Sequence, residues 1–361
     1  MNLIIYFPVA MPGGVLSLAR ALSFEFNSQF ESKVTMVTNY YTDLNEELNI
    51  TSLNLNVSTR ILKSPLRKLV LSLLRINKMM PLIKRERPDV IVCLDPSSLF
   101  VSIVCKFALW KKQMKIVGTC YTPIELLTMS DRFILRFFSK KADLFVFPTH
   151  EVESNLKMIS CKLKKVISNP LSLDSLYCST NRKFEVRQFD VIFFGRLSKE
   201  KRPELLVELA SLNPKLKFAI YGEGLLYNGL EEQISRRELI NVMLVGRGLP
   251  WRDLSSSRIL LFPSLNETFG MTVIEGWLHG LKILTSQSAS GPSMLVEKFG
   301  NGSVVKISGN VMDWNLEMLK LLKVSQEEKE FGDTHFVRQI LDTFHPYSIS
   351  KSWFQALQDL Y

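Results

Sequence analysis

Along the chain, short apolar runs alternate with longer stretches whose apolar residues recur every three or four positions. The runs come in two series. NLIIYF, KVTMVTN, DVIVCL, KIVGTCY and DLFVFP occupy the first half, and DVIFFG, KFAIYG, VMLVG, ILLFP, KILTS and GSVVKI the second. Runs of this length, apolar throughout instead of alternating, fit strands covered on both faces, as in a parallel sheet with helices above and below. The pattern therefore predicts an α/β chain of two doubly wound domains. Between the series, SNPLSLDSLYCSTNRKFEVRQ mixes turn formers with charges and loses all periodicity, so the join falls near residues 168–188. A closing helix is expected after Pro346. These boundaries give residues 1–170, residues 171–344 and a terminal helical segment 345–361.

Composition changes this picture little. The 361 residues are 46% hydrophobic and 22% charged, an ordinary globular balance long enough for two cores. Cys93, Cys105, Cys120, Cys161 and Cys178 are odd in number and scattered, which argues against a disulfide framework or a zinc site and for a reducing compartment. The opening MNLIIYFPVAMPGG has no cationic leader region and reads as a strand entering a glycine turn. The run LFVSIVCKFALW is interrupted by Lys106 and is too short to span a bilayer. A cytoplasmic chain is the expectation, placed at the cytoplasmic face of a membrane if the charge pattern is used for docking.

That charge is uneven. Residues 1–180 hold 23 Lys and Arg against 14 Asp and Glu, whereas the remainder holds 22 against 21. Nine basic residues fall within 59–88 beside one acid, Glu86, and Leu66, Leu69, Val70, Leu73 and Leu74 recur there at helical spacing. The segment is a basic amphipathic helix. It fits a core-packed helix with a cationic outer face, and it fits docking to an anionic membrane, a reading that Trp110, Lys111 and Lys112 reinforce. No recognition motif accompanies the charge, so nucleic acid is not expected.

In open parallel sheets, ligands sit beyond the carboxyl ends of the strands, and the strand exits carry the candidate chemistry. Pro12, Gly13 and Gly14 follow the first strand. Gly195, Arg196 and Lys201 follow DVIFF, with Pro203 at the entrance of the next helix, an arrangement suited to a phosphate. Gly222-Glu223-Gly224 is not a dinucleotide fingerprint, because Tyr227 stands where the third glycine belongs. Gly246, Arg247 and Gly248 form another flexible exit. The segment LNETFGMTVIEGWLHG places Glu267 before a helix and Glu275 one turn inside it. The amides of Thr268, Phe269 and Gly270 crown its start, and Met271, Ile274 and Leu278 are its expected buried stripe.

Glu267, seven residues and Glu275, taken with FFGRLSKEKRP, YGEG and NVMLVG, resemble the retaining glycosyltransferases of family four, the glycosyl transferases of group 1. The likeness is strong over 189–305 and looser before. It implies the B-type fold, two facing Rossmann-like domains with a deep cleft between them and a terminal helix returning to the first. It also implies a nucleoside-diphosphate sugar as donor, a glycan or lipid-linked acceptor, and no metal or other cofactor. On that likeness Arg196 and Lys201 neutralise the diphosphate, Glu275 contacts the ribose, and Glu267 with Thr268, Phe269 and Gly270 holds the sugar and phosphates. Gly13 and Gly14 close over the phosphates, and the base rests beside Gly246 and Arg247, with Gly195 and Gly222 lining the same exits. The family carries a histidine at the end of the strand that is KIVGTCY here; Thr119 or Tyr121 is expected to take over its sugar contact. His150, His279, His335 and His345 show no metal-ligand spacing. A nucleotide-sugar epimerase of the related fold, or a silent nucleotide-sugar-binding scaffold, are the alternatives.

Overall fold

The apolar runs at the centre of each sheet become strands covered on both faces. Val90–Cys93, Leu144–Phe147, Phe218–Tyr221 and Ile259–Phe262 are buried at every position. The computed structural model describes residues 1–9, 14–40, 50–55, 65–173, 176, 188–246, 251–306, 310–327 and 334–361. Contacts divide the chain into two units, Met1–Leu173 with Phe344–Tyr361, and Asp174–Thr343.

The strands of the first unit are β1 (Asn2–Tyr6), β2 (Lys33–Thr38), β3 (Thr51–Ser52), β4 (Val90–Cys93), β5 (Lys115–Thr119), β6 (Leu144–Phe147) and β7 (Lys164–Val166). They form one sheet in the order β3-β2-β1-β4-β5-β6-β7, parallel at every pairing. Successive side chains of a strand point to opposite faces, so Ile4 and Tyr6 enter one core and Leu3, Ile5 and Phe7 the other. Helices α2 (Pro65–Glu86), α3 (Pro96–Ala108) and α4 (Met129–Phe138) cover the first core, through Met79, Ile83, Leu99, Ile103 and Leu135. Helix α3 starts where Asp95 accepts from the amides of Ser97 and Ser98, and α4 starts in a reciprocal cap between Thr128 and Asp131. A short helix, α5 (His150–Asn155), follows β6.

The basic helix departs from its expected orientation. Its inward residues are Leu71, Met79, Leu82 and Ile83, whereas Val70, Leu73 and Leu74 are 50%, 57% and 38% exposed. The apolar stripe read from the sequence thus includes residues that face water; the side chains of Leu66 and Leu69 lie outside the described residues.

On the opposite face, α1 (Gly14–Gln29) packs Leu18, Leu22 and Phe26 against the sheet beside the last helix of the chain, Pro346–Gln358. That last helix begins with Pro346 at its first turn, and the His345 ring nitrogen accepts from the Tyr347 amide. Its Trp353 is fully buried, and its Phe354 stacks on Phe30 at 4.6 Å. The carboxyl-terminal residues are therefore part of the core of the first unit.

The second unit contains β8 (Val191–Phe194), β9 (Phe218–Tyr221), β10 (Val242–Gly246), β11 (Ile259–Phe262), β12 (Lys282–Ser286) and β13 (Gly302–Val305), all parallel in the order β10-β9-β8-β11-β12-β13. Its helices are α6 (Glu204–Leu212), α7 (Tyr227–Arg236), α8 (Trp251–Ser255), α9 (Met271–Leu278), α10 (Ser290–Phe299), α11 (Val311–Glu327) and α12 (Thr334–Phe344). The last helix of the chain, Pro346–Gln358, is α13. Both sheets have the doubly wound α/β architecture read from the sequence.

Cys93, Cys105, Cys120 and Cys161 are buried free thiols, and burial pushes the first three up to about 12; Cys178 lies outside the described residues. No helix among the described residues is long and apolar enough to cross a membrane.

Truncating Trp353 to alanine leaves a cavity between α13, α1 and the sheet. We expect a loss of about 3–5 kcal/mol in stability, read as a lowered urea midpoint with Trp353 fluorescence removed. An unchanged midpoint, followed by far-ultraviolet circular dichroism, would separate α13 from the core of the first unit.

Candidate functional site

In the second sheet the winding direction reverses between β8 and β11, and the crevice beyond the carboxyl ends of these two strands is where such a sheet takes its ligand. Both exits carry residues singled out in the sequence. Leaving β8, the chain is held against the exit of β9 by backbone alone. The Gly195 amide donates to the Tyr221 carbonyl at 3.1 Å, that of Leu197 to Glu223 at 2.8 Å, and that of Leu226 to Leu197 at 3.1 Å. Glycine is obligatory on the facing side. A Cβ at Gly222 would lie 1.8 Å from the Gly195 oxygen and one at Gly224 2.2 Å from the Leu197 oxygen, and both residues have positive φ. The YGEG motif is thus explained first by this backbone approach. Gly246, also at positive φ, accepts from the Gly222 amide at 2.9 Å; Arg247 lies outside the described residues.

Beyond Leu197 one 3₁₀ turn, Lys199–Lys201, leads into α6, and Arg202 takes a left-handed conformation just before Pro203. Pro203 stands immediately ahead of the first helical residue. The turn presents its cations differently. Arg196 is exposed, whereas Lys201 is half-buried, its ammonium 5.0 Å from the centre of the Phe262 ring and ion-paired with Glu267. Between them, Glu200 has its carboxyl held below the usual carboxylate range by the nearby Ser198 hydroxyl, its own amide and the charges of Arg196 and Lys201, against the opposing effect of burial.

The exit of β11 is stitched to the same turn. The Leu265 amide donates to the Glu200 carbonyl at 2.8 Å, and the Glu267 carbonyl accepts from the Gly291 amide at 3.0 Å at the start of α10. The two loops interlock tightly. A Cβ at Gly291 would meet the Phe269 nitrogen at 2.5 Å, and one at Gly270 would meet the Pro292 ring at 2.6 Å. Gly270, with φ of 88°, precedes α9, so Thr268, Phe269 and Gly270 lie at the positive end of that helix. The buried side of α9 is Val273, Ile274, Trp277 and Leu278, and the Trp277 indole donates to the Asn301 carbonyl at 2.7 Å. Met271 is only half-buried, because the stripe is centred on Trp277, a residue the expected Met271–Ile274–Leu278 pattern passed over. Glu275 is half-buried one turn inside.

The structure therefore brings Lys201 and Glu267 into contact, with Arg196 on the strand exit that leads into the same turn and the start of α9 four residues after Glu267. Three features were missed: Glu200, the Phe262 ring under Lys201, and the exit of β12. There Ser286 and Ser288 hydroxyls meet at 2.5 Å and Ser290 reaches the Glu267 carbonyl at 3.5 Å. The signal for the last was available, since TSQSASGP follows an apolar run just as the other exits do.

Residues named in the first unit are placed separately. Gly14 is the exposed first residue of α1, and Gly13 lies outside the described residues. Thr119 ends β5, fully buried, and its hydroxyl donates to the Cys93 carbonyl at 3.1 Å. Tyr121, half-buried, packs on the core that contains α1, and burial pushes its phenol well above the usual range. His279 makes a 2.7 Å hydrogen bond between its Nδ1 and the Ser255 hydroxyl inside the second unit. Among the described residues no three His, Cys, Asp or Glu side chains converge to hold a metal ion.

Two cations, a helix start and a carboxylate at one switch point can grip an oxyanion and, beside it, a hydroxylated group. Comparison with known proteins bears on what that ligand is. Residues 180–335 match the family described as glycosyl transferases group 1. The chain is 28% identical over 252 residues to an uncharacterized glycosyltransferase of Methanocaldococcus jannaschii, covering 60% of each chain. It is 25% identical over 233 residues to a UDP-N-acetylglucosamine–peptide N-acetylglucosaminyltransferase GtfA subunit of Streptococcus pneumoniae, covering 61% of this chain and 46% of that one. It thus spans 60% of the first relative's length and 46% of the second's. In fold it is similar to HepE of Anabaena, solved with UDP and glucose, with a TM-score of 0.76, 16% identity and 99% of both chains covered.

The glycine packing can be tested without a ligand. Gly222→Ala is expected to destabilise the second unit by more than about 2 kcal/mol, since the backbone carbonyl it meets cannot move without breaking the exit of β8. Gly229→Ala, inside α7 with open space around it, is expected to stabilise by about 0.5–1 kcal/mol. Thermal unfolding of the two variants checks the contrast.

Proposed function

We propose, from the match of residues 180–335 to the glycosyl transferases group 1 family, that this chain transfers a sugar, with retention of anomeric configuration and without a metal ion, from a nucleoside-diphosphate sugar to a glycan or lipid-linked acceptor. The observation that carries the proposal is the Lys201–Glu267 pair at the switch point, with Arg196 on the exit of β8 and the start of α9 on the exit of β11. Cleaving the bond between a sugar and a diphosphate leaves negative charge on the phosphate. Fixed cations and an α-helix amino end placed there stabilise the transition state without reorganising. Arg196 and Lys201 take the diphosphate, and the amides of Thr268, Phe269 and Gly270 complete the cradle. Glu267 accepts hydrogen bonds from hydroxyls of the transferred sugar, and Glu275 from the ribose.

The acceptor hydroxyl oxygen forms its bond to the anomeric carbon on the face from which the phosphate oxygen departs, and that oxygen takes the acceptor's proton. The nucleoside diphosphate then leaves. The base lies beside Gly246, at the exit of β10. A relative named for UDP-N-acetylglucosamine and a structural neighbour holding UDP and glucose make uridine diphosphate sugars the first donors to test. The acceptor side works at the cytoplasmic face of an anionic membrane, a reading that rests on the surplus of cations in residues 1–180.

Incubation of labelled nucleotide sugars with membrane extract, following nucleoside diphosphate release and label transfer together, tests the activity. Transfer with coupled release is expected, undiminished by a chelator. Arg196→Gln combined with Lys201→Met is expected to lower turnover by about 10²–10³-fold at an unchanged unfolding temperature. Donor consumption without acceptor would instead indicate an epimerase, and nucleotide binding without release a scaffold. Unaltered turnover in the double variant would remove the cation cradle from the mechanism.

A further inference from the structure

The outer side of the first unit carries apolar side chains that its fold does not use. Helix α4 buries Leu135 and sets Phe138 edge-on to Phe100 at 4.9 Å, which satisfies its inner face. Its outer face is also apolar. Met129, Phe133 and Phe137, four residues apart, are 84%, 56% and 46% exposed, and the two rings touch each other at 4.7 Å. Apolar side chains scattered singly on a surface need no explanation, but a stripe along one helix does.

Basic residues flank that stripe. Arg132, Arg136 and Lys140 are exposed on α4 and the turn after it, and the Arg136 guanidinium lies 6.0 Å from the centre of the Phe137 ring. Residues 106–142 hold eight Lys and Arg against two acids, Glu125 and Asp131, and Asp131 is engaged in capping α4. Phe107 lies in the last turn of neighbouring α3, with the Lys141 ammonium 5.6 Å from its ring centre, and Trp110, just beyond the helix, is 81% exposed. Rings and a methionine on one side of a helix, bordered by cations, are what an interfacial lipid-bound helix requires: the apolar groups enter the head-group boundary and the cations meet lipid phosphates.

We propose that α4 is the element that inserts into an anionic lipid surface, with Met129, Phe133 and Phe137 as the inserting side chains. This rests on the membrane reading above and specifies it, since that reading was drawn from charge and from residues 59–88. Charge favours lipid over a second copy of the chain, because pairing this face with itself would set cations against cations. The position is useful for catalysis. β5 ends at Thr119, so the amino end of α4, which begins at Met129, lies at the carboxyl-end side of the sheet together with Tyr121. A lipid-linked acceptor anchored in the same bilayer would present its head group at that edge.

The test uses the full chain and vesicles of phosphatidylcholine alone or mixed with phosphatidylglycerol. The chain is expected to co-sediment with the anionic vesicles and to be released by salt. Phe133→Ser with Phe137→Ser is expected to weaken that partition on the order of tenfold or more at an unchanged unfolding temperature. Phe133→Trp is expected to shift its emission to the blue and to be quenched by brominated lipid chains in anionic vesicles. Undiminished binding of the double serine variant, or a Trp at 133 that stays water-exposed in the bound chain, would overturn insertion while leaving charge-driven docking in place. No binding to anionic vesicles at low salt would overturn both. A lipid-free dimer abolished by the serine pair would assign the face to a second copy and overturn the proposal as well.

Discussion

The second unit depends on a backbone-to-backbone approach that leaves no room for a Cβ. The exits of β8 and β9 touch through Gly222 and Gly224, and those of β11 and β12 through Gly291, with Gly270 against the Pro292 ring. Each exit is therefore held largely by its neighbour's main chain. The consequence is positional. Leu265 is tied to Glu200, and Glu267 to Gly291, so the turn that carries Lys201 and the loop that carries Glu267 have few degrees of freedom relative to each other. A site meant to stabilise charge gains from that rigidity, because groups already in place need no reorganisation when charge develops.

Much of this was legible in the sequence, and the reason is physical. Strands buried on both faces are apolar throughout, so VIFF, FAIY and ILLF announce themselves, and the residues after them must lie at the carboxyl edge. Arg196, Lys201 and Glu267 could be named because a strand exit is a place before it is a structure. What the pattern could not show was pairing across exits. That Lys201 would meet Glu267, sixty-six residues away, with Phe262 beneath it, depends on β8 and β11 being neighbours in the sheet, which no local spacing encodes. Nor could spacing show that Gly222, placed by the family likeness along a strand exit, is also required by the close approach of the Gly195 carbonyl.

Periodicity failed differently in the basic helix. A repeat of three or four identifies an apolar face, and two such faces coexist in α2. Val70, Leu73 and Leu74 make the conspicuous one, yet Leu71, Met79, Leu82 and Ile83 reach the core. Spacing cannot decide between them, because the choice belongs to the partners, here the sheet face built from Ile4, Tyr6, Ile91 and Cys93. The same ambiguity hid the outer face of α4, whose rings look in sequence like any buried helix stripe. An apolar face left outward in a strongly cationic region is informative because the core did not need it.

The acid in the proposed cradle is itself an argument about the ligand. A carboxylate beside Lys201 weakens that lysine's attraction for a phosphate; at a separation near 4 Å each unit-charge interaction amounts to about 4 kcal/mol at an effective dielectric of 20. A site for a phosphate alone would do better without it. The arrangement makes sense when the ligand offers an anion and, next to it, several hydroxyl donors. A diphosphate then outweighs the single carboxylate in its claim on Lys201, Arg196 and the start of α9, while Glu267 accepts from the hydroxyls. A sugar joined to a diphosphate has that distribution of charge and donors. On the proposed reading the Lys201–Glu267 pair is the resting state of a site whose two halves separate their partners when such a molecule arrives.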